Sequence, residues 1–412
     1  VENGNFNNQQ YLFETMGLLI SLIPNELSQL KLKLIDLIFQ PIFNDLEKCI
    51  SIPESQREPI VILQAHHSLQ AIGTLVRGYD YESGLKFLPD VVAKIDNAAQ
   101  VVLITLENFS SHEMIRDATR FAFARFIPIF KSDNDNNNKN NLIISQHLSK
   151  LITIIWSSSN LKISEYSDFL SFLGQIVHNF RTDDNIYQLL NNFITPLFQK
   201  IFQVLQNPVT EDENLRPDII RDKNSLKRAT LNFISSIVMN HLSSLLITES
   251  NKQELPEIIG KVFEYSYDLS DTTTSKLAIV QLTNFVNVFG GSGGKLDDKE
   301  DKYSENLPPI EGIDEFLINK VINLSFELPF QKQEFNLNDA QYRLIAQEIA
   351  ILLKSFELKK HDEFIVVLSN YLLNMGLSQD LCNDFCLNLH NLDLKDFKKY
   401  FISFINKMKS GK

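Results

Sequence analysis

The stretch LNFISSIVMNHLSSLL (231–246) sets its apolar residues at Leu231, Ile234, Val238, Leu242 and Leu245. Steps of three and four residues return to one face of an α-helix, whereas a half-buried strand alternates at every second residue. The same spacing recurs at Ile144, Leu148, Leu151 and Ile155, and near the end at Phe397, Tyr400, Phe401, Phe404, Ile405 and Met408. The 142–156 stretch is rich in isoleucine, which suits strands, but its period and length predict a helix. Helical spacing holds nearly everywhere, and only 14 glycines in 412 residues leave few sharp turns for an α/β sheet. Pro24, Pro41, Pro53, Pro89, Pro196, Pro208, Pro256 and Pro308 mark helix starts or kinks, with Ser111 and Ser225 as candidate N-caps.

Punctuation at these intervals predicts about sixteen helices in about eight antiparallel pairs, near the 40–47-residue period of HEAT repeats. The expected fold is all-α, a HEAT-repeat α-solenoid in which each pair buries its apolar stripe against its neighbours. Three segments interrupt the pattern: SDNDNNNKNN (132–141), NPVTEDENLRPDIIRDKN (207–224) and GGSGGKLDDKEDKYSENLPP (290–309). They read as a disordered loop, a charged connector and a flexible insertion, all projecting from one continuous array over 1–412. The polar opening VENGNFNNQQ, without a methionine or a basic–apolar address, reads as a cut from a longer chain.

Composition narrows the function. With 44% apolar residues the chain has material for a packed core, which excludes wholesale disorder. Three cysteines are too few for a disulfide framework and suit a reducing compartment. The longest apolar run, GLLISLI (17–23), is too short to span a bilayer. A net charge of −12 argues against a nucleic-acid partner if the sum is the relevant quantity. In a solenoid it is not, because inner and outer faces are separate surfaces.

No enzyme motif survives inspection. GGSGGK (290–295) lacks the first glycine and the Ser/Thr of a phosphate-binding loop, and no strand precedes it. Cys382, Cys386 and His390 share one helix face, but they also share it with Leu381, Phe385 and Leu389, so buried thiols are the plainer reading. His66 and His67 point about 100° apart on a helix. No catalytic residue, cofactor or metal ligand is expected.

The cations, however, cluster. Arg216, Arg221, Lys223, Lys227 and Arg228 stand together, as do Lys395, Lys398, Lys399, Lys407, Lys409 and Lys412, and Arg116 and Arg120 lie one turn apart ahead of Arg125. Exposed Lys and Arg can hold phosphates. The commoner reading of any one patch is a solvated helix face or an Arg–Asp ladder between repeats, for example through Asp117.

Seven strings then matter in their order: QYLFETMGLLIS (10–21), HEMIRDATRFAFARFIP (112–128), ITPLFQKIFQVLQNPV (194–209), NSLKRATLNFISSIV (224–238), LTNFVNVFGG (282–291), EFNLNDAQYRLIAQEIAILLKSFELKK (334–360) and DLKDFKKYFISFINKMK (393–409). Together they resemble the C-terminal part of the exportin-T family, the tRNA exportins among the karyopherins-β. FNLNDAQ and DFKKYF are the most distinctive. The family's usual tryptophan before the paired glycines is here Phe289, and the asparagine run looks like a lineage-specific insertion.

The resemblance implies a nuclear export receptor. It would bind tRNA cooperatively with Ran in its GTP form, shuttle between nucleus and cytoplasm past nucleoporins, and release its cargo on GTP hydrolysis. It implies no membrane association and a monomer. The matched segments carry basic residues in the family at Arg116, Arg120, Lys227, Arg228, Lys359, Lys360, Lys398 and Lys399, which makes these candidates for tRNA-backbone contact. Clustering adds Arg221, Lys223 and Lys395. Arg116 and Arg120 lie beside an apolar stripe, so structural roles stay open for both. Another karyopherin-β with protein or other RNA cargo, or a HEAT-repeat interaction scaffold, would share the fold.

Overall fold

A computed structural model describes residues 3–79, 88–131, 138–207, 216–290 and 293–411. Among the described residues there are fifteen α-helices and no strand. The chain divides into two compact units, 1–189 and 190–412.

The first unit holds α1 (Asn3–Ser21), α2 (Ser28–Ser51), α3 (Pro59–Gly78), α4 (Pro89–Phe109), α5 (Glu113–Phe130), α6 (Asn138–Trp156), α7 (Ile163–Asn179) and the start of α8 (Asp184–Gln206). Odd-numbered helices pack in one row, α1 on α3, α3 on α5 and α5 on α7. Even-numbered helices pack in the other, α2 on α4 and α4 on α6. That two-row order is what helix pairs produce when each stacks its apolar stripe on the next pair. Pro59 and Pro89 open α3 and α4, where a missing N–H costs no helical hydrogen bond. Trp156 stacks on Phe169 at 5.6 Å between ring centres, tying α6 to α7. Gly17 and Gly78 let α1 cross α3 closely, since a Cβ on Gly17 would strike the Leu75 carbonyl and one on Gly78 the Glu14 carbonyl.

The second unit holds α9 (Pro217–Met239), α10 (Leu255–Ser266), α11 (Thr272–Phe289), α12 (Ile313–Gln331), α13 (Ala340–Asn374), α14 (Gln379–Asn391) and α15 (Leu394–Lys409), with the odd-numbered row continued. Helix α9 packs on α11, α11 on α13 and α13 on α15, while α10 packs on α11 and α12 on α13. Asp271, Asp339, Ser378 and Asp393 cap α11, α13, α14 and α15 by accepting from a backbone N–H of the first turn. The closing core is aromatic: Phe385 lies 4.8 Å from Phe404 and 5.6 Å from Phe326, ring centre to ring centre. Helix α13 is broken at Lys360, whose backbone (φ −144°, ψ 53°) is not helical. The all-α HEAT-type solenoid expected from the spacing is the fold observed.

Several local expectations are corrected. All five apolar residues of the 231–245 stripe are buried, but one helix does not carry them. Helix α9 stops at Met239, His241 takes a left-handed φ of 58°, and Leu245 sits in a 3-10 turn over 243–246. Ser225 lies inside α9, and His112 rather than Ser111 occupies the N-cap position of α5. Residues 138–141 of the asparagine run belong to α6, while 132–137 lie outside the described residues. Residues 217–224 of the charged connector form the first two turns of α9, and 208–215 lie outside the described residues. Pro217 starts that helix, a signal outweighed in the sequence by the surrounding charges.

Residues 293–309 of the insertion are not helical, as expected, but they are docked. Asp301 is fully buried, with Ser244 donating to it from backbone N (2.8 Å) and hydroxyl (2.9 Å) and Tyr303 from backbone N (3.1 Å). The Ile310 N–H bonds the Gly294 carbonyl at 2.8 Å, at a left-handed turn formed by Gly293 and Gly294 (φ 65° and 80°).

Candidate nucleic-acid interface

The two arginines of the first unit are internal. Arg116 is 1% exposed and forms a two-pronged pair with Glu165, itself 2% exposed, at 2.7 and 2.8 Å. Its remaining donor group reaches the Ser110 carbonyl at 2.6 Å and Asn160 Oδ1 at 3.1 Å. Glu165 also accepts from the Lys162 backbone N–H at 2.9 Å, so one carboxylate starts α7 and anchors α5. Burial pushes the Glu165 pKa up, but the hydrogen bonds and charges of Arg116, with the Lys162 amide and Arg120, outweigh it and leave the carboxyl below its ordinary range. Arg120 is also buried, 3.1 Å from Asp117 on its own helix and 3.5 Å from Asp168 on α7. A guanidinium already enclosed by carboxylates has no face for a phosphate. Arg116 and Arg120 thus tie α5 to α7, the structural role that the sequence left open for both.

The ladder expected as the plain alternative is therefore present, with Glu165 and Asp168 as its acidic rungs. Asp117 pairs within its helix rather than with a neighbouring repeat. The first unit extends the scheme at its surface through Lys94–Asp36 (2.8 Å), Lys150–Glu107 (3.1 Å) and Lys162–Glu113.

In the second unit, Lys227 lies 2.8 Å from Asp268 and Arg228 2.8 Å from Asp271. Both acids stand in the turn between α10 and α11, and Asp271 is also the cap of α11. The pairs are partly buried, and Lys227 further rests 5.6 Å from the centre of the Tyr265 ring. Burial raises the Asp268 pKa, but the Lys227 and Ser270 hydrogen bonds outweigh it and leave the carboxyl low. Lys359 pairs with Asp297, and Lys360 with Asp314 (2.9 Å) and Glu363 (3.2 Å). Lys227, Arg228, Lys359 and Lys360 thus tie helices and the docked insertion together.

The others stay near the surface. Arg221 is exposed beside Asp222 at 3.4 Å, and Lys223 donates to the Asn207 carbonyl at 2.5 Å. Lys399 pairs with Asp396 at 3.1 Å, one turn back on α15. Lys395 and Lys398 have no ion-pair partner among the described residues, with Lys395 exposed on α15 and Lys398 half-exposed. Of the eleven candidates, these two have neither an ion pair nor a side-chain hydrogen bond among the described residues, which leaves them open to an incoming phosphate.

Sequence reasoning missed the acids that absorb the cations. The acids that meet Arg116, Arg120, Lys227 and Arg228 follow them by 41 to 49 residues, near the HEAT period, and that recurrence is the signal that could have found them. It also missed a cluster in which Glu357, His361 and His390 converge from α13 and α14. The proposed thiol face is only half right: Cys382, Phe385 and Leu389 are buried, but Cys386 is half-buried and Leu381 is exposed. Burial raises both thiols, Cys386 to about 11, with Cys382 adding to it. The His66 and His67 rings lie 5.7 Å apart, and burial lowers both pKa values. No helix among the described residues is long and apolar enough to cross a membrane.

A family model described as Exportin-T matches residues 1–409. A relative from Lodderomyces elongisporus named Exportin-T is 70% identical over 412 residues, covering all of this chain and 40% of that protein. The Debaryomyces hansenii Exportin-T is 58% identical over 410 residues, covering 99% of this chain and 40% of its own length. The Saccharomyces cerevisiae Exportin-T of strain S288c is 32% identical over 460 residues, covering 98% of this chain and 40% of its own. The chain thus spans about two fifths of the length of the relatives it matches. A match that runs from the first residue to the last helix, on a helical-repeat fold, places this chain in the exportin-T family.

Proposed function

We propose that the whole protein is a nuclear export receptor for tRNA. It binds tRNA together with Ran in its GTP form in the nucleus and releases it in the cytoplasm when Ran hydrolyses the nucleotide. This chain is part of its cargo-wrapping solenoid. The observation that carries the reading is the exportin-T match along residues 1–409.

The physics of the fold supports it. Duplex RNA displays a major groove too deep and narrow to read, so proteins grip its shape and phosphates. A solenoid offers an extended surface suited to cargo that shares a shape but varies in sequence. Most of the clustered cations are committed to internal carboxylates, so an acidic chain holds RNA through a few free charges, Lys395 and Lys398 among them. That economy favours reversible binding over indiscriminate capture of polyanions. Dependence on Ran is a coupling free energy between two sites, with the repeat stack as the element that both ligands bias. The receptor acts as a monomer, passes nucleoporins, shuttles between nucleus and cytoplasm, and needs no cofactor or catalytic group of its own.

The test is binding of labelled tRNA to the full-length protein with and without Ran loaded with a non-hydrolysable GTP analogue, across a salt series. Tighter binding with Ran, weakening as salt rises, is expected. Equal affinity with and without Ran would overturn the reading.

A further inference from the structure

We propose that Glu357, His361 and His390 form a binding site for a single Zn²⁺ or similar borderline transition-metal ion, clipping the break in α13 to the end of α14. The proposal is independent of the transport reading. Both imidazole Nδ1 atoms lie 2.7 Å from the same carboxylate oxygen, Glu357 Oε1. One donor atom from each of the three residues falls within 4.8 Å of the others. The donors come from two elements: Glu357 and His361 are four residues apart across the break at Lys360, and His390 is in the last turn of α14. Ligands that converge from separate elements distinguish a site from a chance line along one helix.

Burial supplies a second observation. The Glu357 side chain is 3% exposed, and its other oxygen, Oε2, is buried without a hydrogen-bond partner. Lys354 Nζ stands 3.8 Å from Oε2 and donates to the Leu389 and His390 carbonyls. A buried carboxylate is costly unless a cation compensates its charge, and Oε1, the oxygen that both imidazoles face, is where an entering ion meets it. Lys354 lies on the Oε2 side and is held by the carbonyl end of α14, so it is an outer neighbour of a metal bound through Oε1.

The donor set selects the ion. Two imidazoles and one carboxylate suit Zn²⁺, Co²⁺ or Ni²⁺, whereas Mg²⁺ and Ca²⁺ prefer all-oxygen shells. The histidine side chains are 45% and 56% exposed, so the ion enters from solvent and the fourth position remains open to water. Binding moves the ring proton from Nδ1 to Nε2 on each neutral imidazole, where solvent accepts the hydrogen bond. The half-exposed rings have room to separate from the shared oxygen as the ion comes between them.

The experiment is titration of the metal-free 412-residue chain with ZnCl₂ against a chromophoric chelator, with Co²⁺ absorption as a second readout. One equivalent is expected to bind, with visible Co²⁺ bands of four-coordinate intensity and a Zn²⁺-dependent rise in melting temperature. His361→Gln with His390→Gln should weaken Zn²⁺ binding at least tenfold and abolish the bands while leaving the circular dichroism unchanged. Either single substitution serves if the pair unfolds, because each side chain is largely at the surface. Absence of stoichiometric binding in the original chain, or equal binding by the substituted one, overturns the site.

Discussion

Arg116 and Glu165 meet edge to edge across α5 and α7, Nε to Oε1 at 2.7 Å and Nη2 to Oε2 at 2.8 Å, with both side chains shut away from water. A buried pair is strongly destabilised when one partner is removed, because the survivor keeps its charge without compensation. Arg116→Ala or Glu165→Ala should each cost about 3–5 kcal/mol. Arg116→Met combined with Glu165→Leu should recover much of that loss. Urea melts of the two single variants and the double variant make the comparison.

The same pair sets an acid dependence. The folded Glu165 pKa lies below its ordinary value near 4.5, so its contribution is complete above that value and is lost as pH falls through the lower, folded pKa. Stability measured from neutral pH down to about pH 3 should therefore fall, and part of the fall should vanish in the Met–Leu double variant. An identical acid slope in both proteins would remove Glu165 from the account.

Lys227 and Arg228 hold Asp268 and Asp271 at the start of α11. Each pair is partly buried, and each should be worth about 0.5–1 kcal/mol after allowing for solvent screening. Lys227→Ala with Arg228→Ala should lower the melting temperature, and restoring either charge should recover part of it. Purely solvated RNA contacts would be dispensable for stability, whereas these pairs predict that stability changes.

Lys395 and Lys398 are the contrasting case. Charge reversal to Glu at both should leave the melting temperature within about 0.5 kcal/mol equivalent. In the full-length protein it should weaken tRNA binding and flatten its salt dependence by about one to two phosphate contacts. Filter binding over a salt series reads both quantities.

Asp301 pins the docked insertion by accepting three hydrogen bonds. Asp301→Ala leaves the buried Ser244 N–H without its acceptor, at a cost of about 1–3 kcal/mol. Limited proteolysis should then cut first within 293–312, with the flanking helices α11 and α12 still protected. Cleavage at the same rate as in the original chain would show that other contacts hold the segment.

The fold was legible because stripes such as Ile144–Ile155 and Phe397–Ile405 face the core as their spacing requires. What spacing could not show is where a helix stops when the stripe continues. Leu242 and Leu245 keep the period after the chain has turned at His241, because a tight turn can return side chains to the same core. The candidate site was less legible for a related reason. A run such as LKR (226–228) reveals its charge locally, whereas the acids that neutralise it arrive some forty residues later. The place of Arg116 beside an apolar stripe left its role open, and only Glu165, 49 residues later, decides it. Lys395 and Lys398 kept their charge free because the following turns of α15 offer them no carboxylate.

The measurement that bears most directly on the account is the affinity of the full-length protein for tRNA with and without GTP-bound Ran, compared between the original sequence and Lys395→Glu/Lys398→Glu. Ran should tighten tRNA binding in both, and the double reversal should weaken the Ran-dependent complex without changing the melt. Affinity for tRNA that is indifferent to Ran would contradict it.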